Sequence, residues 1–345
     1  MQGKWFVVVN PNAGNQKGRQ DWNRIARMLS LAGIEYLSYF TEYRGHAMEL
    51  TRKYVHLGFR NVIVVGGDGT LNEVVNGIFT QGHVAPSEVT LSMIPVGTGN
   101  DWCRMFGIPS SYAEAIALIG RNERFMQDIG VLEYTDREGR AEVRYFANIA
   151  GMGFDALVAE KTNRQKEHGK SGPLSYFLNI LKSLFSFSVT STSISCNGKQ
   201  LTPKIFSMAV GIGQYNGGGM KQLPRAVPDD GLFDITIIRP IGKLKIIRNL
   251  LKLIDGSFTR LPEVITCRAP EITIQSVPEL YAEADGESLG HSPFRLVLLP
   301  RSLSIIRGDL AFESEKETQR EQGASGRVLA GSTRESTEKA EILAG

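Results

Sequence analysis

The sequence predicts an α/β protein: an N-terminal three-layer α/β domain with a parallel sheet and a Gly-Gly-Asp-Gly-Thr loop, followed by a C-terminal β-sandwich domain. Three observations carry this reading. Up to about residue 120, apolar strand-like runs alternate with helical patterns, as βαβ units require. After Gly120 the pattern changes to paired strand-like runs joined by turn residues. Three glycine motifs each follow an apolar run of the first part, at the sheet edge where open parallel sheets bind ligands.

Taken in order, Trp5–Val9 reads as a strand, Arg19–Leu31 as a helix, Tyr36–Phe40 as a strand and His46–Leu57 as a helix. Asn61–Val65 is a strand, Leu71–Phe79 a helix, Val89–Ile94 a strand and Tyr112–Ile119 a helix. Strands separated this way form a parallel sheet covered on both faces. Phe125–Tyr134 and Ala141–Ala150 flank the turn residues Asp136–Gly139, a hairpin signature. Val189–Cys196 and the run to Val210 flank Asn197-Gly198, which suits a type I′ turn. Further strands are expected at Leu232–Ile238, Val264–Arg268, Glu271–Gln275 and Phe294–Leu299. From about Ala311 the polar composition predicts a disordered tail. The expected division is residues 1–124 with 293–309 returning, 125–292, and a tail at 310–345.

Composition narrows the function classes. The 345 residues carry 39 Lys+Arg against 36 Asp+Glu, a net charge of +3, which excludes a broadly basic nucleic-acid binder. Cys103, Cys196 and Cys267 are too few and too scattered for a disulfide framework or a cysteine zinc site. They fit a reducing, cytoplasmic compartment. The start of the chain has no leader pattern, and no run reaches the ~18–20 apolar residues a membrane span needs.

The glycine motifs are Asn10-Pro11-Asn12-Ala13-Gly14, Gly66-Gly67-Asp68-Gly69-Thr70-Leu71-Asn72-Glu73 and Pro95-Val-Gly-Thr98-Gly-Asn-Asp101. Glycine lets the backbone approach a phosphate, and helix N-termini favour anions. Three such loops on one sheet edge predict a polyphosphate site. Gly169-Lys170-Ser171 lacks the leading glycine of a Walker A loop. Gly151-Met-Gly-Phe-Asp-Ala156 looks like a dinucleotide fingerprint, but no second strand ending in an acid follows, which leaves a tight turn between domains.

Together these motifs resemble the bacterial lipid kinases of the diacylglycerol kinase catalytic-domain family, which also includes sphingosine and ceramide kinases. Asn148-Ile-Ala-Gly-Met-Gly-Phe-Asp155, Asp229-Asp-Gly-Leu-Phe-Asp234 and Asp285-Gly-Glu287 extend the likeness, which covers roughly residues 4–308. The resemblance implies an ATP-binding first domain, a β-sandwich second domain, a cleft between them and a last strand returning to the first domain. It places nucleotide contacts at Asn10–Gly14, Thr41, Gly66–Glu73 and Thr98, with Glu287 beside the nucleotide. It places the catalytic base at Asp285. It places a structural Mg²⁺ on the Asp230 carboxylate and the carbonyls of Val227 and Leu232. Ala13 stands where many members have serine, which removes one hydroxyl donor.

Phosphoryl transfer needs positioning, charge neutralisation and a base. Asp68, inside a phosphate loop, reads either as a link to Mg²⁺ or as a cap for the helix that follows. Asp285-Gly286 reads either as a base at a strand end or as a hairpin turn. Leu174–Phe187 has an apolar face behind the basic Lys161, Arg164, Lys166 and Lys170; it reads either as a peripheral membrane-surface element or as a helix packed on the sandwich. The function expected is an ATP-dependent kinase of diacylglycerol or another hydroxyl lipid, set against an NAD kinase-like enzyme and a non-catalytic nucleotide- or lipid-binding regulator. The sequence leaves the acceptor lipid and the oligomeric state open.

Overall fold

Four runs rich in branched residues make the parallel sheet. β1 (Trp5–Val9) lies between β2 (Tyr36–Phe40) and β3 (Asn61–Gly66), and β3 pairs with β4 (Thr90–Pro95). Val7, Val8, Val62–Val65 and Leu91 are fully buried, as in a sheet covered on both faces. The computed structural model describes residues 3–167, 183–184, 187 and 189–309. Most of the segment expected to be amphipathic at Leu174–Phe187, and the tail from residue 310, lie outside the described residues.

The connecting helices are α1 (Ala13–Gln20), α2 (Trp22–Leu31), α3 (His46–His56), α4 (Asp68–Thr80), α5 (Asp101–Met105) and α6 (Tyr112–Arg121). The single helix expected at Arg19–Leu31 is broken. Asp21 ends α1 and precedes α2, and its carboxylate accepts the Tyr112 hydroxyl at 2.7 Å. Within α1, Gly14, Asn15 and Gln16 are left-handed (φ 60°, 60° and 69°), so the first glycine motif turns back on itself before the helix starts. Helix α4 begins at Asp68, three residues earlier than the apolar pattern indicates.

Beyond α6 the strands turn antiparallel. β5 (Arg124–Thr135) and β6 (Ala141–Phe146) form the expected hairpin, with Asp136 Oδ1 accepting the amides of Glu138 and Arg140 across the turn. The run Ala141–Ala150 is two strands rather than one, because Ala147 and Asn148 leave the ladder before β7 (Ile149–Gly153). β7 runs antiparallel to its neighbours and leads into α7 (Phe154–Glu167), so Gly151–Ala156 is a strand-to-helix junction. It is neither a Rossmann turn, which needs a parallel partner, nor a bare inter-domain turn.

β8 (Thr190–Cys196) and β9 (Lys199–Leu201) close on Asn197-Gly198, both at positive φ, as the type I′ reading expects. The run beyond divides into β10 (Lys204–Ile205) and β11 (Ser207–Gly211), and β11 joins β7 instead of the hairpin. β12 (Tyr215–Asn216) and β13 (Met220–Lys221) form a small ribbon. β14 (Phe233–Ile238), α8 (Lys243–Asn249), α9 (Lys252–Asp255), β15 (Val264–Ala269), β16 (Glu271–Val277) and β17 (Tyr281–Ala284) follow. The last strand, β18 (Glu287–Ile306), pairs antiparallel with β5, β16 and β17, and its end pairs in parallel with β4. The antiparallel part is β-sandwich-like. Leu132, Phe146, Ile194, Val210, Ile235 and Leu296 meet in one buried core.

Candidate active site

The parallel sheet brings the three glycine motifs to one edge. Asn10 follows β1, and its side-chain amide donates to Thr70 Oγ1 of the second motif at 2.8 Å. A Cβ at Gly14 would lie 1.8 Å from the Val96 carbonyl oxygen of the third motif. The second and third motifs touch through glycine alone: a Cβ at Gly97 would lie 2.6 Å from Gly67 Cα. Three loops from three strands therefore form one surface, closed to any side chain at these contacts. Asn12 and Thr98 are exposed there, Ala13 is half-buried, and Pro11 is buried. Thr41 sits at the end of β2, its amide bonded to the Val9 carbonyl.

The side chains of Gly66–Glu73 divide by direction. Asp68 and Gly69 open α4 at the loop surface, where the helix dipole favours negative charge. Leu71 packs in the core, and Asn72 is fully buried. Both oxygens of Glu73 accept amides at the start of α3, from Gly45 at 2.8 Å and Ala47 at 3.1 Å. The side chains of Leu71, Asn72 and Glu73 are thus committed within the fold. Glu287 stands over Gly69, its carboxylate held by Arg44 at 2.6 Å.

Asp285 occupies a left-handed turn position (φ 50°) followed by Gly286 (φ 84°), so the Asp-Gly hairpin turn is real. Asp285 is 8% exposed, and its carboxylate takes four donors. Oδ2 accepts the Ala147 amide and the Asn72 Nδ2, each at 2.8 Å; Oδ1 accepts the amides of Asn148 at 3.0 Å and Ile149 at 3.2 Å. These are the residues that interrupt the run Ala141–Ala150. The open strand end expected at Asp285 is replaced by a closed cage, because a buried carboxylate needs its lone pairs satisfied. Burial pushes its pKa up to about 6, against the lowering effect of the donors.

Asp68 and Asp101 complete an acidic neighbourhood. Asp68 Oδ1 accepts the Trp102 amide at 3.2 Å, and Asp101 accepts the Gly218 amide at 2.7 Å and Arg104 at 2.6 Å. Burial, and then the charge of Asp68, push Asp101 up to about 6. Asp68 also raises Asp285. Behind Asp285, Glu283 is 2% exposed and pushed up to about 8, chiefly by burial. It accepts from Gly286 and Asn216, and Asn216 also donates to Gln222, which donates to Asp155. Asp155 and Gln222 line an apolar cavity of about 90 Å³ with Phe154, Met208, Leu250 and Phe258.

This geometry has relatives. The diacylglycerol kinase catalytic domain matches residues 4–132, and the YegS C-terminal NAD kinase beta sandwich-like domain matches residues 148–307. YtlR of Bacillus subtilis, a protein carrying a lipid-kinase name, is 30% identical over 313 residues, covering 87% of this chain and 98% of its own. The chain belongs to the diacylglycerol kinase family. A diacylglycerol kinase of Staphylococcus aureus is 28% identical over 87% of this chain and 91% of its own. A crystal structure of a diacylglycerol kinase from Bacillus anthracis superposes with a TM-score of 0.66 at 25% identity, covering 89% of this chain and 97% of that one.

For this kinase, the structural Mg²⁺ implied at Val227, Asp230 and Leu232 does not fit the donors present. Asp230 Oδ1 accepts the Leu232 amide at 3.1 Å, while Oδ2 is ion-paired with the Arg268 guanidinium, which also holds Asp234. A cation there would have to displace a fixed positive charge. Among the described residues no group of three or more acids, histidines or cysteines is arranged to hold a metal. Asp68 fits a nucleotide-borne Mg²⁺ better, since its carboxylate already raises two neighbouring acids and a hard cation there relieves that repulsion. Sequence reading missed Asp101 as a site residue, Asn72 as the clamp on Asp285, and the buried acids Glu283 and Asp155. Asp101 closes the third motif and Asp155 the NIAGMGFD run, so both stood inside recognised segments; nothing in the sequence marks Glu283. Trp102 is a core residue, its indole donating to Gln127 at 3.0 Å.

Proposed function

We propose that this lipid kinase transfers the γ-phosphoryl group of ATP to the hydroxyl of diacylglycerol or a related lipid. One observation carries the reading. The glycine loops meet the acids Asp68, Asp101 and Asp285 on one side, and a hydrogen-bonded chain, Glu283–Asn216–Gln222–Asp155, links that cluster to an apolar cavity on the other. An apolar lining with a few polar groups suits an acyl chain with a hydroxyl head, and poorly suits a charged, soluble dinucleotide acceptor.

The loop amides and the start of α4 bind the triphosphate, and Glu287 lies beside the nucleotide over Gly69. Mg²⁺, when bound at Asp68, neutralises phosphate charge. Asp285 takes the proton of the lipid hydroxyl: with a pKa of about 6 it is ionised at neutral pH yet still basic enough to accept one. Because Ala147, Asn148 and Ile149 donate from backbone, Asn72 is the donor that gives way when the substrate hydroxyl approaches. Glu283, pushed up to about 8, stays protonated and leaves Asp285 as the charged member of the pair.

The test is ADP release measured against diacylglycerol, phosphatidylglycerol, a sphingoid base, a polyprenol and NAD. A phosphorylated lipid should form, and Asp68→Asn should lower its rate on the order of 10²–10⁴-fold while the variant stays folded. Transfer to NAD alone, or wild-type turnover by Asp68→Asn, would overturn the reading.

A further inference from the structure

Helices α8 and α9 are apolar on both sides. Inward, Ile246, Leu250 and Leu253 line the cavity described above. Outward, Leu244 is 79% exposed, Ile247 44%, Leu251 77% and Ile254 62%. Their spacing of three, four and three residues puts them on one stripe. A surface helix of a globular protein normally turns polar residues to water opposite its core face, so four apolar side chains in line there depart from the usual pattern. Charge is equally one-sided. Lys243, Lys245, Arg248 and Lys252 lie along residues 243–255, where Asp255 is the one acid. Lys245 is paired with Glu263, while Lys243, Arg248 and Lys252 are exposed beside the stripe.

We propose that the outer face of residues 243–255 docks on an anionic lipid bilayer. Exposed leucine and isoleucine seat below the headgroups while the flanking cations stay at the phosphate level, the arrangement by which amphipathic helices bind a membrane interface. The charge decides between occupants. A second copy would bring a like basic collar against this one, whereas anionic lipid complements it. The docked helices are also a wall of the cavity, so docking sets the acyl-chain site against the lipid that fills it. This last consequence rests on the lipid-kinase reading; the docking itself does not.

The full chain is tested by co-sedimentation with vesicles of phosphatidylcholine and phosphatidylglycerol, and with phosphatidylcholine alone. Wild type should bind the mixed vesicles, bind the neutral ones far more weakly, and release as salt rises. Leu244→Glu with Leu251→Glu should weaken binding on the order of 10²-fold, since each leucine forfeits its insertion. Arg248→Glu with Lys252→Glu should weaken it on the order of 10²–10³-fold, because two attracted cations are lost and two repelled anions take their place. All four side chains point to solvent, so thermal melting should be unchanged; if the glutamate pair fails to fold, Leu244→Ser with Leu251→Ser serves in its place. Wild-type chain that ignores mixed vesicles, or folded leucine variants that bind like wild type, would overturn the proposal. So would a leucine pair that turns a dimer into a monomer without changing vesicle binding, because the face would then be a contact between copies. Vesicle binding by a chain that phosphorylates no lipid supports docking and removes only the acceptor reading.

Discussion

Glu283→Gln isolates the buried acid two residues before Asp285. In the folded protein Glu283 is held to about 8, against 4.5 for an unburied glutamate, with burial the leading cause. A carboxyl raised in this way makes the folded state bind more protons than the unfolded one between those two values. Stability contributed by the neutral form is therefore complete below about pH 4.5 and is lost as pH rises toward 8. A shift of this size, at 1.36 kcal/mol per unit, amounts to about 4 kcal/mol by pH 7.5. Glutamine keeps the shape and its carbonyl can accept the Gly286 amide. Asn216 is held by Gln222 and the Gly217 amide, so its bond to position 283 is the one given up. The substitution removes the titration at the cost of that one hydrogen bond, an offset equal at every pH that leaves the comparison of slopes intact. Urea unfolding at pH 5, 6, 7 and 8, followed by circular dichroism, should give wild type a stability slope more negative than that of Glu283→Gln by about 1.4 kcal/mol per pH unit. Parallel slopes would show that Glu283 is ionised in the fold, and with it would go the argument that Asp285 is the charged member of the pair.

Turnover with a lipid acceptor should fall about tenfold per pH unit below about 6, as Asp285 takes up its proton; a kcat/KM profile flat to pH 5 would exclude it as the base. Asp285→Asn should cut turnover on the order of 10²–10⁴-fold and also lower stability by about 2 kcal/mol. Two of its four donors lose an acceptor, and relief of the buried charge returns only part of that; urea unfolding reads the loss. Gly97→Ala drives a methyl to 2.6 Å from both Gly67 Cα and Asn100 Oδ1, so nucleotide affinity measured by calorimetry should fall at least tenfold with secondary structure retained.

Legibility followed the range of the physics. The parallel sheet was readable because its strands are continuous Val and Ile runs, and the loops because three glycine motifs each follow a strand of that one sheet. Both are signals local in sequence. Strand boundaries failed where a distant group overrode the local pattern. Ala141–Ala150 reads as one strand, yet Ala147, Asn148 and Ile149 turn their amides to a carboxylate more than 130 residues away. Glu73 sits in the second glycine motif and serves α3 instead, which only the packing of α3 on α4 reveals.

The same limit governs the chemistry. Asp285 and Glu283 lie two residues apart in one strand-turn, and composition gives them equal standing as acids. Their roles diverge because one is caged by four donors and the other meets only two, in surroundings just as dry. A donor count is a property of the assembled backbone: two of the Asp285 donors come from the break between β6 and β7, one from the first residue of β7, and the fourth from α4. The motif Asp-Gly-Glu therefore marks where the acid is, but the amides of Ala147–Ile149 and the buried Asn72 supply the donors that oppose the rise burial imposes on it. A substitution at either of those places should move the acid limb of the activity profile without touching any residue of the motif.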